Sequence, residues 1–382
     1  MKIFKNANVY VEGEGLRQCS VFFGERIEKI DGSLDNKAEI IELPENAVVL
    51  PGFIDQHIHG AGGCDSMDGT IEALETISKT LVKEGTTSFL VTTMTQSKEN
   101  ILQAMRNVKK YRERKAEKGA RVLGIHLEGP FLSEIYKGAQ SSKYLKEPDI
   151  VTFDEYNIAS GNAIKIVTLA PEISGGETLI RYLHKKNILP SIGHSAAKVI
   201  DVKKAIEAGA RNVTHTYNAQ SSFHHREIGV AGSALLFDEL SCELIADTIH
   251  VSIPAMKLLV KSKPADKLIL ITDSMRAKGI PDGISELGGQ TVYVQNEEAR
   301  LADGTLAGSV LRMNKAIKNM VEKVGVDFLR AVDFATINPA KALGMEKEIG
   351  SIKVGKRADF TVLDENYDVR MTVCGGEIVY KA

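Results

Sequence analysis

Four arrangements of residues could do chemistry: His57 and His59 two positions apart, His126 and Glu128 two apart, single histidines at 194 and 215, and Asp273 after an apolar run. An i, i+2 pair on a strand points to one side, so His57 and His59 offer two imidazole nitrogens to one cation rather than one to each face. Glu128, before Gly129-Pro130, is the first-choice carboxylate ligand. His126 shares its parity but lies deeper, which favours a supporting role over direct ligation. Glu128 with His194 and His215 makes one carboxylate and two imidazoles, the three-ligand pattern of catalytic zinc sites that keep a position open. His57 and His59 could hold a second divalent ion, bridged by Glu128 or a hydroxide. Zinc is the first choice, and iron, cobalt or manganese suit the same nitrogen and oxygen donors. Asp273 is placed to take a proton from an activated water and hand it to a leaving group. The plainer alternative is that it caps a turn.

Convergence of these residues requires strands that end at one rim. Compact apolar runs alternate with amphipathic stretches, and eight candidate strands end near His59, Thr93, Glu128, Ala170, His194, His215, Ala246 and Asp273. Helical stretches follow most of them, for example Ile71 to Glu84 and Ala196 to Glu207. Eight such units predict an α/β fold of the (β/α)8 TIM-barrel type, whose active face is the carboxyl end of its strands; an open doubly wound sheet is the weaker alternative. Residues 1–52 and 349–382 read as short strands with glycine turns, such as Ser20-Val21-Phe22-Phe23 and Asp359-Phe360-Thr361-Val362-Leu363. Short strands cannot bury a face alone, so both termini are expected to meet in one small β-sandwich domain beside a catalytic barrel of residues 53–348.

The loops after the later strands carry candidate substrate contacts: His250, Asn218, Ala219 with nearby backbone amides as extra donors, and Arg226, a residue type matched to phosphate or carboxylate. His224 and His225 read as exposed neighbours. Gly60, Gly62 and Gly63 read as a turn, because no phosphate-loop pattern follows. With 382 residues, 43% hydrophobic and 26% charged, the chain can bury a large core. The formal net charge of −2 leaves no global field for nucleic acid or an anionic membrane. The basic tract Lys109 to Lys118 is broken by Glu113 and Glu117 and reads as a solvated face. No apolar run reaches membrane-spanning length, Met1 to Asn6 has no long apolar core of a signal peptide, and the four cysteines form no C-x-x-C pair, so a cytoplasmic protein with reduced thiols is expected.

The segments Pro51-Gly52-Phe53-Ile54-Asp55, His126-Leu127-Glu128-Gly129-Pro130, Ile192-Gly193-His194-Ser195, Thr214 to Ala219, Ile245-Ala246-Asp247 with His250, Thr272-Asp273 and Gly308-Ser309 resemble, in order and spacing, the N-acetylglucosamine-6-phosphate deacetylases of the amidohydrolase superfamily. The resemblance runs essentially end to end. It implies a metal-dependent hydrolysis of the acetamide of N-acetylglucosamine 6-phosphate, giving acetate and glucosamine 6-phosphate. It further implies Glu128, His194 and His215 as main metal ligands, Asp273 as acid and base, and Asn218, Ala219 and His250 as sugar-phosphate contacts. Arg226 matches an arginine supplied across a homodimer interface, and His57 with His59 resembles members carrying a second metal. Gln140 stands where some members have a histidine that polarises the substrate carbonyl; an amide can donate a hydrogen bond there but brings no charge. Rival readings are another amidohydrolase acting on a different N-acyl amide, or a non-catalytic barrel. A dihydropyrimidinase-like enzyme is disfavoured because Ile166 to Pro171 offers no bridging lysine, and a barrel that had lost its chemistry would be expected to lack some of these groups.

Overall fold

The computed structural model describes residues 1–32, 38–114 and 118–382. Eight parallel strands form the barrel: β1 Phe53–Ile58, β2 Thr86–Thr92, β3 Arg121–Glu128, β4 Ile164–Leu169, β5 Leu189–Ile192, β6 Asn212–Val213, β7 Ser241–Ile245 and β8 Leu268–Ile271, each hydrogen-bonded to the next in sequence. They are buried on both faces, as the near-continuous apolar runs require. β8 meets β1 at the carboxyl ends, where Asp273 N–H donates to His57 C=O at 2.9 Å and His59 N–H to Ser274 C=O at 2.9 Å. Lower down the gap is filled by Phe334 and Ala335, whose carbonyls accept from Leu270 and Ile54 at 2.8 Å each.

Helices follow the strands and bury their apolar stripes on the barrel. α1, Ile71–Leu81, is N-capped by the Thr70 hydroxyl and buries Leu74, Ile77 and Leu81; it ends earlier than the sequence suggests, in a 3-10 turn over Val82–Glu84 stopped by left-handed Gly85. The helix expected from Ala196 begins at Val199 instead. The Glu172 carboxylate takes the Ala196 N–H and the Ser195 hydroxyl takes the Ala197 N–H, so these donors are satisfied outside a helix. In the basic tract, Lys109, Lys110, Arg112, Glu113, Arg114 and Lys118 are exposed, as a solvated face requires, while 115–117, including Glu117, lie outside the described residues.

Both termini join one sheet, mainly antiparallel. Its order is Glu377–Lys381, Val369–Cys374, Phe360–Leu363, Val48–Pro51, Lys2–Val11, Gly15–Phe23 and Ile27–Ile30, with Glu39–Ile40 also pairing Lys2–Val11. The strand carrying Phe23 is three positions from the strand carrying Phe360, about 14 Å on a flat sheet. Their rings nevertheless lie 5.0 Å apart, so the sheet curls around its own core of Phe4, Phe23, Phe360, Val362 and Met371. Its other face docks on the barrel, where Thr361 and Thr372 hydroxyls donate to Gly85 and Val82 carbonyls.

A three-stranded sheet that the eight-unit pattern does not anticipate follows β8, formed by Gly283–Leu287, Gln290–Gln295 and Glu298–Arg300. Gly288 and Gly289, both with positive φ, turn its first hairpin, which the alternation in Gln290 to Gln295 could have signalled. It packs Leu287, Val292 and Val294 on Met94 and Met275 beside the barrel mouth.

Candidate active site and metal centre

The predicted residues meet at the carboxyl rim. A cavity of about 200 Å³ is lined by His59, Glu128, Gln140, His194, His215, Asn218, Ala219, His250 and Asp273, and is roofed in part by Met94, Leu287 and Leu306. A larger cleft of about 860 Å³ runs past Asp247, Asp282, Arg312 and Lys315, but no histidine lines it. The predicted histidines and acids therefore gather at the smaller cavity.

Backbone geometry turns the side chains inward. His194, His215 and Asp273 each follow the end of a strand with positive φ (47°, 29° and 48°), a conformation costly for residues other than glycine and found where surrounding structure holds a functional group in place. Beneath them Asp55 is fully buried and accepts the N–H groups of His57 and Thr272 at 3.3 Å each, tying β1 to the segment after β8.

Glu128 stands between two sets of nitrogens. Its Oε1 lies 3.2 Å from His194 Nε2, 3.1 Å from His215 Nε2 and 3.5 Å from His57 Nε2, and its Oε2 lies 3.2 Å from His59 Nε2. Asp273 Oδ1 is 3.4 Å from His57 Nε2 and 3.2 Å from His59 Nε2. Among the described residues three groups are close enough to hold a metal ion, two of them sharing Glu128: His57, His59 and Glu128, and Glu128, His194 and His215; the third is His57, His126 and Glu243.

The hydrogen bonds on the far sides of the rings decide what these contacts mean. His194 Nδ1 faces the Tyr136 carbonyl at 2.9 Å, and a carbonyl can only accept, so Nδ1 carries the proton. In the neutral form of the ring, Nε2 is then a bare lone pair aimed at a carboxylate oxygen. His57 repeats the arrangement, with Nδ1 held by Glu243 Oε2 at 3.1 Å, and its buried Nε2 has no hydrogen-bond partner. With neutral rings these are acceptors aimed at acceptors, an arrangement that a cation between them satisfies, and buried nitrogen and carboxylate donors in this number suit a divalent metal.

The electrostatics carry the same demand. Burial alone would raise the Asp273 carboxyl, but the His57 charge and the His59 hydrogen bond hold it at about 2. Burial opposes protonation of His59, yet Asp273 and Glu128 lift it to about 9; His57 is likewise raised, and Glu128 is held well below the usual carboxylate range. The acids of this site call for positive charge, which protons supply when no metal does. His126 differs: burial and the nearby His57 charge push it down to about 4. Its Nδ1 donates to Gln56 C=O at 3.1 Å and its Nε2 meets the Thr168 hydroxyl at 2.7 Å, so both nitrogens are committed, in keeping with a supporting role.

Among the substrate candidates, His250 is oriented by Asp247 Oδ2 on Nδ1 at 2.6 Å. Asn218 and Ala219 line the cavity, and of the backbone amides there the Asn218 N–H donates to His215 C=O at 2.9 Å. Gln140 is buried; its Oε1 accepts the Thr95 N–H at 2.7 Å, which points its Nε2 at Glu128 Oε2, 3.0 Å away. Arg226 is exposed outside the cavity, bonded to His225 Nε2 at 2.9 Å, and His224 and His225 are exposed as expected. The residue that sequence reasoning missed is Glu243. Its only signal was an acid in the middle of the otherwise apolar, fully buried β7.

The amidohydrolase family model matches residues 48–379. The chain belongs to the amidohydrolase family. Within this metal-dependent amidohydrolase family it is 46% identical over 342 residues to an N-acetylglucosamine-6-phosphate deacetylase of Bacillus subtilis (strain 168), covering 89% of this chain and 86% of that one. An N-acetylgalactosamine-6-phosphate deacetylase of Escherichia coli O157:H7 is 37% identical, with 87% of each chain covered. Among solved structures, the N-acetylglucosamine-6-phosphate deacetylase of Pasteurella multocida superposes with a TM-score of 0.93 at 31% identity, covering all of both chains. The Mycobacterium smegmatis enzyme in complex with N-acetyl-D-glucosamine-6-phosphate superposes with a TM-score of 0.92 at 28% identity over 100% of this chain and 99% of that one. The amidohydrolase barrel with a sheet from both termini is thus shared along the whole chain.

Proposed function

We propose that this chain hydrolyses the acetamide of N-acetylglucosamine 6-phosphate to acetate and glucosamine 6-phosphate. The observation that carries the reading is the junction of Glu128, Asp273 and the Nε2 atoms of His57, His59, His194 and His215 at and just beneath one cavity, in a chain whose relatives bear that activity in name. Glu128, His194 and His215 would hold one divalent ion and His57, His59 and Glu128 a second, with zinc the first candidate and iron, cobalt or manganese the others. Such ions supply Lewis-acid charge, acidifying water and polarising the acetamide carbonyl.

Asp273 is the proton carrier. Held ionised, it accepts a proton from the attacking water as the new C–O bond forms, then delivers it to the nitrogen as the C–N bond breaks, because an amide anion is too basic to leave. Met94, Leu287 and Leu306 give the cavity an apolar wall beside this step. His250 and the Asn218-Ala219 turn contact the sugar, and Gln140 acts through its amide from the Glu128 side. Arg226 lies too exposed to serve its own cavity, and we assign it to the phosphate in a neighbouring subunit's site. Phe223, 60% exposed on the same loop, supports a homodimer. Four free cysteines suit a cytoplasmic location, and no described helix is long and apolar enough to cross a membrane.

The test is acetate release from N-acetylglucosamine 6-phosphate, N-acetylgalactosamine 6-phosphate and unphosphorylated N-acetylglucosamine by metal-loaded protein. Preference for the first, abolished by a chelator and restored by a divalent ion, is expected. A preference for the galacto epimer would move the substrate, and activity on none from folded, metal-replete protein would sink the assignment.

A further inference from the structure

Glu243 is fully buried in β7, one layer beneath the candidate ligands. Its carboxylate is saturated: Oε1 accepts from Gln56 Nε2 at 2.7 Å and Asn212 Nδ2 at 3.1 Å, and Oε2 accepts from His57 Nδ1 at 3.1 Å and the His215 N–H at 3.3 Å. A group of Glu243 with His57 and His126 could be read as a third metal site, but both His126 nitrogens and all four of these bonds are already committed.

The two ligand groups differ in what stands behind them. In the group of Glu128, His194 and His215, the ring oriented from behind is held by a neutral carbonyl, that of Tyr136. In the group of His57, His59 and Glu128 it is held by a charged carboxylate, while in each group the remaining ring, His215 or His59, has no partner on its buried Nδ1. A carboxylate behind an imidazole fixes the tautomer as a carbonyl does, and adds negative charge that strengthens the ring as a ligand. We propose that Glu243 is the positioning residue that makes His57 a metal ligand and so sets the affinity of the second ion. A buried acid in a barrel strand is costly unless a partner needs its charge, and His57 is the ring that does.

This rests on the two-ion reading above. The test is equilibrium dialysis of the whole protein against cobalt(II), with ions per chain and visible absorption as readouts. In Glu243→Gln the new amide oxygen can still face His57 and His215, while Gln56 and Asn212 turn their own amide oxygens to its NH2, so the fold is kept and only charge is lost. The second ion should weaken about 10–100-fold with the first unchanged. Glu243→Ala should abolish the second ion, and Asn212→Ala, which removes a different partner of the same carboxylate, should leave both bound. Full second-ion affinity in Glu243→Gln, or equal weakening of both ions, overturns the role of Glu243 alone. One ion in the wild-type protein overturns the two-ion reading and this proposal with it. If Glu243→Ala does not fold, the Glu243→Gln result decides.

Discussion

The barrel mouth and the terminal sheet are built on opposite terms. At the mouth, His194, His215 and Asp273 sit in left-handed backbone, imidazole nitrogens are buried without partners, and acids crowd together. In the terminal sheet, Phe4, Phe23 and Phe360 pack with tilted and edge-on rings at 4.9 to 5.3 Å in a core of aliphatic side chains. The first arrangement is unfavourable until a ligand completes it, and the second is favourable as it stands. Reactivity and stability are thus divided between regions, and substitutions should separate them.

Asp273→Asn should lower kcat/KM by about 10²–10⁴-fold while leaving the unfolding midpoint nearly unchanged, because it removes a proton carrier and no packing. Steady-state kinetics beside a denaturant melt would check this; a large loss of stability would break the contrast. Phe360→Ala should do the reverse, costing about 3–5 kcal/mol in the melt with kcat/KM of the folded protein preserved. Arg226→Ala should raise KM for the phosphorylated sugar by about 10–100-fold, the value of a hydrogen bond to a charged group, and leave the unphosphorylated sugar unaffected. Equal losses on both sugars would remove Arg226 from the phosphate.

The smallest effect concerns the tie between the termini. Glu12 pairs with Lys353 at 2.8 Å and Lys356 at 2.9 Å and accepts from the Ser351 hydroxyl. Burial works against its charge, but these partners hold the carboxyl at about 2 against an ordinary 4.5. Its folded pKa is depressed, so its stabilisation is complete above about pH 4.5 and is lost as pH falls toward 2. Glu12→Gln should cost under about 1 kcal/mol at pH 7, since the pair is partly exposed, and the difference should vanish near pH 2. A pH-independent difference would assign the effect to packing.

Much of the mouth was legible because each barrel strand ends within a residue or two of the group it presents, and parity on a strand sets which side that group faces. His57 with His59 and Glu128 after His126 are readable in this way. Glu243 was not, since its partners come from β1, β6 and the turn after β6, and a lone acid in an apolar run says nothing of them. Nor was the cover over the mouth: Leu287 gains its place only when the hairpin at Gly288-Gly289 folds back on Met94. The bond from the Asn218 N–H to the His215 carbonyl is likewise a matter of turn geometry.

Residue order alone settled the donor types, their faces and the alternation that makes a barrel, because these depend on local periodicity. Closure of that barrel decided the rest: Glu128 between two histidine pairs, the Nδ1 protons of His57 and His194 fixed by Glu243 and Tyr136, and Arg226 left outside the cavity. Contacts between residues so distant in the chain arise only when the strands are brought side by side, and distances of about 3 Å between buried charges follow from packing rather than from spacing.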